Sequence, residues 1–377
     1  VSLAVRSPRQ DFEAELSAEL WDLSARWLRR GLRLPAGIDL VSNDYLGLAG
    51  HPALRERMRE ALLEGPAGSG GSRLLRGHHA AFDRIEERLA AFSGQPAALL
   101  FGSGWAANLG LLPAIAGRDD LVLSDALNHA SLIDGVRLSG ARRIVYPHLD
   151  VQAVRDGLRQ GGARRRFVVT ESVFSMDGDL APLRELAEAA EEHGALLIVD
   201  EAHATGLYGS GRVEALGLQQ RVLASVHTGG KALGCAGAWV AGPAALRDTL
   251  LQRARSFVFS TAPLPALCAG LDAALDVLAA EPWRAVECLR KAGLLRGALR
   301  EAGLTAPGEA PIVPLVVGGN AAALALQDAL QAEGFDVRAI RPPTVPEGTA
   351  RLRLTVRTPV ADADLLRLAG AAGRSLR

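Results

Sequence analysis

The spacing of apolar and polar positions changes period along the chain. Over residues 12–28, Phe12, Leu16, Leu20, Leu23 and Trp27 recur at helical intervals, which predicts an amphipathic helix. That helix is expected to run into the basic cluster Arg29, Arg30 and Arg33 and to stop at Pro35 and Gly37. From about residue 40 to 240, short apolar runs are separated by helical periodicity. The runs are 97-AALLF-101, 121-LVL-123, 144-IVY-146, 167-FVVT-170, 195-ALLIV-199 and 222-VLASV-226. Between them, a stretch such as 183-LRELAEAAEEHG-194 reads as a helix closed by a glycine. The alternation predicts an α/β unit around a mostly parallel sheet. Beyond about residue 262 alanine- and leucine-rich helical patterns take over. Short strands are expected near 312-IVPLVV-317 and 351-RLRLTV-356, so a smaller α+β unit should follow. No repeat of solenoid period and no low-complexity linker divides the chain.

Parallel sheets bind ligands beyond the carboxyl ends of their strands. Chemically able side chains cluster at those places. Gly102–Trp105 follow Phe101, Asp125 and His129 follow Leu123, and Glu171 and Ser175 follow Thr170. Asp200 and His203 follow Val199, and Thr228 and Lys231 follow Val226. Together they predict one pocket.

Composition narrows the class. The chain has 377 residues and is 49% hydrophobic, enough for a core without disulfide or metal staples. Lysine plus arginine equals aspartate plus glutamate, 42 against 42, so the overall basic excess of a dedicated nucleic-acid binder is missing. Cys235, Cys268 and Cys288 are widely spaced and form no CxxC. They read as reduced thiols in a cytoplasmic protein, with no metal site expected. The first residues, VSLAVRSPRQDFEAEL, carry early charges and lack the apolar segment of a secretory signal. No stretch approaches the ~18 uncharged apolar residues of a membrane span.

Three motifs compete for the pocket. The run 102-GSGWAA-107 fits G-x-G-x-x-A after a strand, the dinucleotide fingerprint of a nicotinamide oxidoreductase, with Asp119, Asp120 or Asp125 available for a ribose. The pattern is weak in a chain with 41 glycines, but it also serves a simpler purpose, letting backbone N–H groups approach a phosphate at a helix start. The run 200-DEAH-203 is similar to a helicase box, yet no phosphate-binding G-x-x-x-x-G-K-[ST] precedes it. The third reading pairs Asp200 with Lys231. A lysine behind glycines can form a Schiff base with an aldehyde, and a carboxylate on a neighbouring strand end can keep a pyridine nitrogen protonated.

The segments 43-NDYLGL-48, 68-GSGGSR-73, 128-NHASL-132, 171-ESVFSMDGDLAPL-183, 200-DEAH-203, 227-HTGGKALG-234 and 340-IRPPTVPEGTARLRLT-355 resemble the α-oxoamine synthases. These are pyridoxal 5'-phosphate enzymes that join an amino acid to an acyl thioester with decarboxylation. The resemblance runs in register from about residue 40 to 355 and implies a fold-type I transferase. Residues 1–38 would form an N-terminal helical segment, 39–278 a large cofactor-binding α/β domain and 279–377 a small α+β domain. The 340–355 segment most resembles the biotin-pathway branch, which implies L-alanine and a pimeloyl thioester, on coenzyme A or an acyl carrier protein, as substrates. Another amino acid, glycine or serine, with a different acyl thioester is the alternative within the family. A homodimer with shared sites is also implied.

The resemblance assigns roles residue by residue. Lys231 would carry the cofactor and move the substrate's α-proton. Asp200 would pair with the ring nitrogen, and His203, with Ser175, would bond the ring's 3-oxygen. His129 would stack on the ring face. Gly104, Trp105 and Thr228 would hold the phosphate, helped by Ser260 and Thr261 of a second subunit. Arg353 would clamp the amino acid's carboxylate, Asn43 would lie near the substrate, and Arg29 would reach the acyl donor's distal carboxylate. Taken alone, Arg29 reads equally as a solvated helix-end charge. Arg351 stays open beside Arg353, since both alternate with leucines and the two are not required to share a face. Four departures from the family pattern stand out: Phe259 in place of a tyrosine, Ala204 in place of a glycine, Trp105 in place of a phenylalanine or tyrosine, and a short segment between Arg33 and Asp39 that omits a hairpin seen in some relatives.

Overall fold

The computed structural model describes residues 7–376. Twelve strands occur among them: β1 (Ile38–Asp39), β2 (Ala97–Phe101), β3 (Leu121–Asp125), β4 (Arg142–Tyr146), β5 (Arg166–Glu171), β6 (Leu196–Asp200), β7 (Ala224–Thr228), β8 (Ala238–Gly242), β9 (Ile312–Gly318), β10 (Phe335–Asp336), β11 (Ala339–Ile340) and β12 (Ala350–Thr355). Seven of them form one sheet in the order β2-β8-β7-β6-β5-β3-β4. All are parallel except β8, which runs antiparallel to both β2 and β7. Every residue of β3, β7 and β8 is buried, which explains why β3 and β7 read as unbroken apolar runs rather than alternating ones. β4 is the exposed edge, and its Arg142 and Arg143 keep it from pairing further.

Helices cover both faces of this sheet. On one face Leu111 and Leu112 of the helix Gly104–Ile115 pack with Val122, Val169, Ile198 and Val226. On the other, Leu186 and Ala190 of the helix Leu183–Glu192 pack with Leu123, Val168, Leu197 and Val199. A further core joins Trp239 of β8 to the helices Pro52–Glu64, Ala80–Phe92 and Ala266–Ala280 and to Tyr45, Leu46 and Leu48.

The C-terminal part builds its own core around the antiparallel sheet β11-β12-β9 and the helices Trp283–Glu301, Asn320–Ala332 and Asp362–Ser375. Leu40 belongs to that core and Ile38 packs against it. Ile38 and Asp39 pair with Phe335 and Asp336, and Leu40 is fully buried there. From Leu40 the chain passes directly into 43-NDYLGL-48, which lies on the large sheet's side. The seam between the two sheets is therefore crossed by the stretch that brings Asn43 and Tyr45 to the strand ends.

The N-terminal helix differs from its sequence expectation. It spans Pro8–Ala25, capped by Ser7 and Gln10, and ends before the arginine cluster because the chain turns at Trp27, whose φ is +59°. Its apolar positions do not face a core within the chain: none of its residues is buried, and Trp21 is 76% exposed. β8 and the two-residue strands β1, β10 and β11 were not expected either. Of these, 238-AWVAG-242 is too rich in alanine and glycine to stand out.

Candidate active site

The carboxyl ends of β5, β6 and β7 lie side by side, and their register sets Glu171 opposite Asp200. Asp200 is buried. One carboxylate oxygen accepts from the Ala202 N–H (2.8 Å) and the other from Asn108 Nδ2 (2.7 Å). Asn108 lies one helical turn beyond Gly104, so the helix that begins with the glycines also supports the carboxylate. Its Nδ2 also reaches Ser131 Oγ (2.9 Å), and its Oδ1 is buried without a partner among the described residues.

Lys231 follows β7 on the 229–234 turn. That turn needs glycine at Gly234, where φ is +61° and a Cβ would overlap the backbone of Leu48 and Ala49. The close approach presses the lysine turn against 43-NDYLGL-48. Lys231 Nζ lies 2.9 Å from His203 Nε2. Burial brings the Lys231 pKa down to about 8; Asp200 and Glu171 oppose the shift and Arg353 adds to it. His203 is buried, with its Nδ1 2.6 Å from the Tyr45 hydroxyl. Its pKa lies well below the usual histidine value, first through burial and then through Lys231 and Arg353, so the ring is neutral.

Glu171 is buried and pushed up to about 8, by burial first and by Asp200 second. It accepts from the His129 N–H (2.5 Å) and thereby fixes the start of the helix Ala130–Ser139. His129 caps that helix: its Nδ1 accepts from the Ser131 N–H (3.2 Å). Burial lowers its pKa. The His129 ring meets Trp105 edge to face, with centroids 6.0 Å apart, at the open side of the strand ends.

Ser103 caps the helix Gly104–Ile115 by accepting from the Ala106 N–H (3.2 Å). The N–H groups of Gly104 and Trp105 belong to the first turn and have no helical acceptor. A Cβ at Gly102 or Gly104 would meet nothing within 4 Å, so the approach to these donors is open. Thr228 closes the turn opposite, donating to the Gly237 carbonyl (3.2 Å) and accepting from the Gly230 N–H (3.2 Å).

Arg353 enters from β12. Its Nη1 and Nη2 each lie 3.1 Å from Asn43 Oδ1, its Nη1 donates to Thr355 Oγ1 (3.0 Å), and its Nε donates to the Ser175 carbonyl. Arg351 donates to Asp177 and to the Thr349 carbonyl (3.0 Å). Residues two apart on a strand share a face, and both arginines do meet the 175–177 segment, which corrects the expectation that they need not. They differ in partner: Arg351 is neutralised by a carboxylate, whereas Arg353 meets only neutral oxygens.

Thus Lys231, His203, Asp200, Arg353, Asn43, Ser175 (through its carbonyl), His129, Trp105, Gly104 and Thr228 lie around the same strand ends. Ser260 and Thr261 do not join them within this chain. They occupy an exposed turn after the helix Arg255–Val258, where Ser260 donates locally to the Thr261 carbonyl (3.3 Å). Arg29 does not join them either; it lines a separate cavity of about 310 Å³ with Arg30, Arg33, Arg338 and Arg341. Ala204 is buried, and Phe259 is exposed with the Arg255 guanidinium 4.9 Å from its ring centre. Sequence reasoning missed Tyr45 and Asn108. Tyr45 had a signal, its place two residues after Asn43; the signal for Asn108 was its helical spacing from Gly104.

The arrangement suits an aldehyde that bears a phosphate and a pyridine nitrogen. The amine has a depressed pKa, a buried carboxylate stands one strand away, and open helix N–H groups face the same space. Among the described residues no cluster of His, Cys, Asp and Glu is placed to hold a metal ion.

The sequence matches the family described as aminotransferase class I and II over residues 35–371. It is 48% identical over 359 residues to an 8-amino-7-oxononanoate synthase of Anaeromyxobacter dehalogenans, covering 90% of each chain. A protein of the same name from Geobacter sulfurreducens is 45% identical over 379 residues, covering 95% of this chain and 97% of its own. Among solved structures, Sphingomonas wittichii serine palmitoyltransferase superposes with a TM-score of 0.89 at 26% identity, covering 98% of this chain and 99% of that one. The 8-amino-7-oxononanoate synthase of Francisella tularensis gives 0.79 at 25% identity, covering 90% and 97%. A structure described as SPT with PLP gives 0.89 at 29% identity, covering 96% and 98%. These matches and the site together set aside the nicotinamide reading of the glycine run, and the chain belongs to the aminotransferase class I and II family, as a pyridoxal-phosphate enzyme of fold type I that transfers acyl groups.

Proposed function

We propose that this enzyme condenses L-alanine with a pimeloyl thioester, releasing carbon dioxide and the free thiol and giving 8-amino-7-oxononanoate for biotin synthesis. The observation that carries this reading is the 48% identity to a relative of that name across 90% of both chains. A second reading, glycine or serine with another acyl thioester, draws on the TM-score of 0.89 to serine palmitoyltransferase. At 26% identity that likeness says less about the substrate than the closer sequence does.

In this proposal Lys231 would hold the cofactor through its aldehyde, Asp200 would keep its ring nitrogen protonated, and His203, with Ser175, would bond its 3-oxygen. His129 would stack on the ring, and Gly104, Trp105 and Thr228 would hold the phosphate together with Ser260 and Thr261 of a second subunit. Bound there, pyridoxal phosphate supplies an electron sink for the charge left on the amino acid's α-carbon. Arg353 takes the alanine carboxylate, replacing its bonds to Asn43 with a charge-assisted pair and leaving Asn43 beside the substrate. Lys231, with a pKa near 8, has a neutral fraction able to take the α-proton at neutral pH. The α-carbon then bonds to the thioester carbonyl carbon as the C–S bond breaks and the thiolate takes a proton from solvent; the carboxylate departs as carbon dioxide, and Lys231 returns its proton to the α-carbon. Arg29 is assigned to the acyl donor's distal carboxylate. The donor is on coenzyme A or a carrier protein, and the enzyme works as a cytoplasmic homodimer. The division near residue 279 into large and small domains belongs to the same proposal. No described helix is long and apolar enough to cross a membrane.

The test is the visible absorption of cofactor-loaded protein titrated with alanine, glycine or serine, each with and without pimeloyl-CoA. A long-wavelength band that forms with alanine and rises with pimeloyl-CoA supports the proposal. The same response confined to glycine or serine moves the substrate to the second reading.

A further inference from the structure

We propose that Tyr45 is a positioning residue that sets the tautomer of His203, so that the ring presents an Nε2–H donor to the centre of the site. The inference uses the cofactor site described above and does not depend on which substrates it takes.

The Tyr45 side chain is buried, and burial raises its phenol to about 12, so it carries a single proton at neutral pH. Two acceptors are near. Asn43 Oδ1 is 3.5 Å away, beyond the normal O–H···O range of roughly 2.5–3.0 Å. That oxygen also accepts both Arg353 Nη groups, each at 3.1 Å. His203 Nδ1 lies at 2.6 Å, well within range. The phenol proton therefore goes to Nδ1, which must be a lone pair. A neutral imidazole with an acceptor at Nδ1 carries its proton on Nε2. Nε2 is the atom 2.9 Å from Lys231 Nζ, so the donor meets the lone pair of that amine in its neutral form, the form to which the cofactor attaches.

The backbone holds Tyr45 in place for this. Its carbonyl accepts from the Thr358 N–H and its N–H donates to the Asn43 carbonyl, both at 2.8 Å, while its ring meets His203 edge to face at 6.1 Å. His129 has the same polarity by other means, since its Nδ1 accepts from the Ser131 N–H. Both site histidines thus carry their proton on Nε2. An electron-rich oxygen beside Lys231 gains a neutral donor rather than a competing acceptor, and the protein spends no buried positive charge on it.

The test is long-range ¹H–¹⁵N correlation of the full chain labelled with ¹⁵N-histidine, with and without cofactor, the His203 signals being those lost in His203→Gln. The expected native pattern is a bare Nδ1 and a protonated Nε2. In Tyr45→Phe, which keeps the ring and removes only the hydroxyl, Nδ1–H should appear as the tautomers mix. In the loaded enzyme kcat should fall roughly tenfold, the worth of one hydrogen bond, with KM for the amino acid within about twofold. A native ring protonated on Nδ1, or one tautomer unchanged in Tyr45→Phe, overturns the proposal. So does a variant whose only defect is in KM. If the variant proves unstable, the native spectrum decides alone.

Discussion

The chain contains two lysines, and the structure places them in opposite circumstances. Lys291 is buried in the small unit, where its Nζ donates to the carbonyls of Thr358 and Val360, both at 2.7 Å, and lies 3.5 Å from Glu287. All its partners are oxygens that accept, so it ties the helix Trp283–Glu301 to the loop after β12. Among the described residues Lys231 has one close side-chain partner, the neutral His203 imidazole at 2.9 Å, and its pKa is down at about 8. The first lysine is satisfied and therefore structural. The second is held close to the pH at which it becomes a nucleophile. Burial is common to both, so the chemistry lies in what surrounds the nitrogen.

The largest expected effect breaks that contrast outright. Lys231→Ala should lose turnover on the order of 10⁴-fold or more while the protein stays folded. Lys291→Met should do the reverse, lowering the unfolding free energy by about 2–4 kcal/mol while kcat per folded molecule is kept, as denaturant melts paired with active-site titration would report. Next is Asp200→Asn, which keeps the shape but removes the charge facing the ring nitrogen. Steady-state kcat should drop on the order of 10²–10³-fold.

A smaller effect separates the two arginines of β12. Arg353→Lys should raise KM for the amino acid about tenfold, because an ammonium cannot replace a forked guanidinium. Arg351→Lys should change that KM by less than about twofold and mainly weaken the tie to Asp177. Substrate titrations of the two variants side by side settle this point. The mildest test is in pH. The neutral amine is the reactive form, so the rate at which pyridoxal phosphate attaches to cofactor-free protein should rise as pH increases through about 8. In Asp200→Asn the midpoint should move lower, since Asp200 raises the Lys231 pKa.

Much of this was legible in the sequence. The apolar runs marked β2 to β7; in all but the exposed edge strand β4 this is because strands buried on both faces need continuous hydrophobicity. The residues just after those runs are the ones gathered at the site. What escaped had physical reasons. β8 packs small side chains and lacks a strong pattern, and β1, β10 and β11 are too short to have a period. The apolar stripe of the first helix was visible, but periodicity cannot say whether a core lies opposite it, and among the described residues none does. Tyr45 was overlooked because a tyrosine in an apolar segment reads as core. It is core, and its hydroxyl is what distinguishes it. Arg351 and Arg353 were inseparable by spacing because they share a face, and only their partners tell them apart.

The most direct test of the central claim returns to the two lysines. Cofactor-loaded protein is reduced with borohydride, digested and analysed by peptide mass spectrometry. The account predicts the cofactor's mass on Lys231 and none on Lys291. Modification of Lys291, or of neither lysine in protein saturated with pyridoxal phosphate, would contradict it.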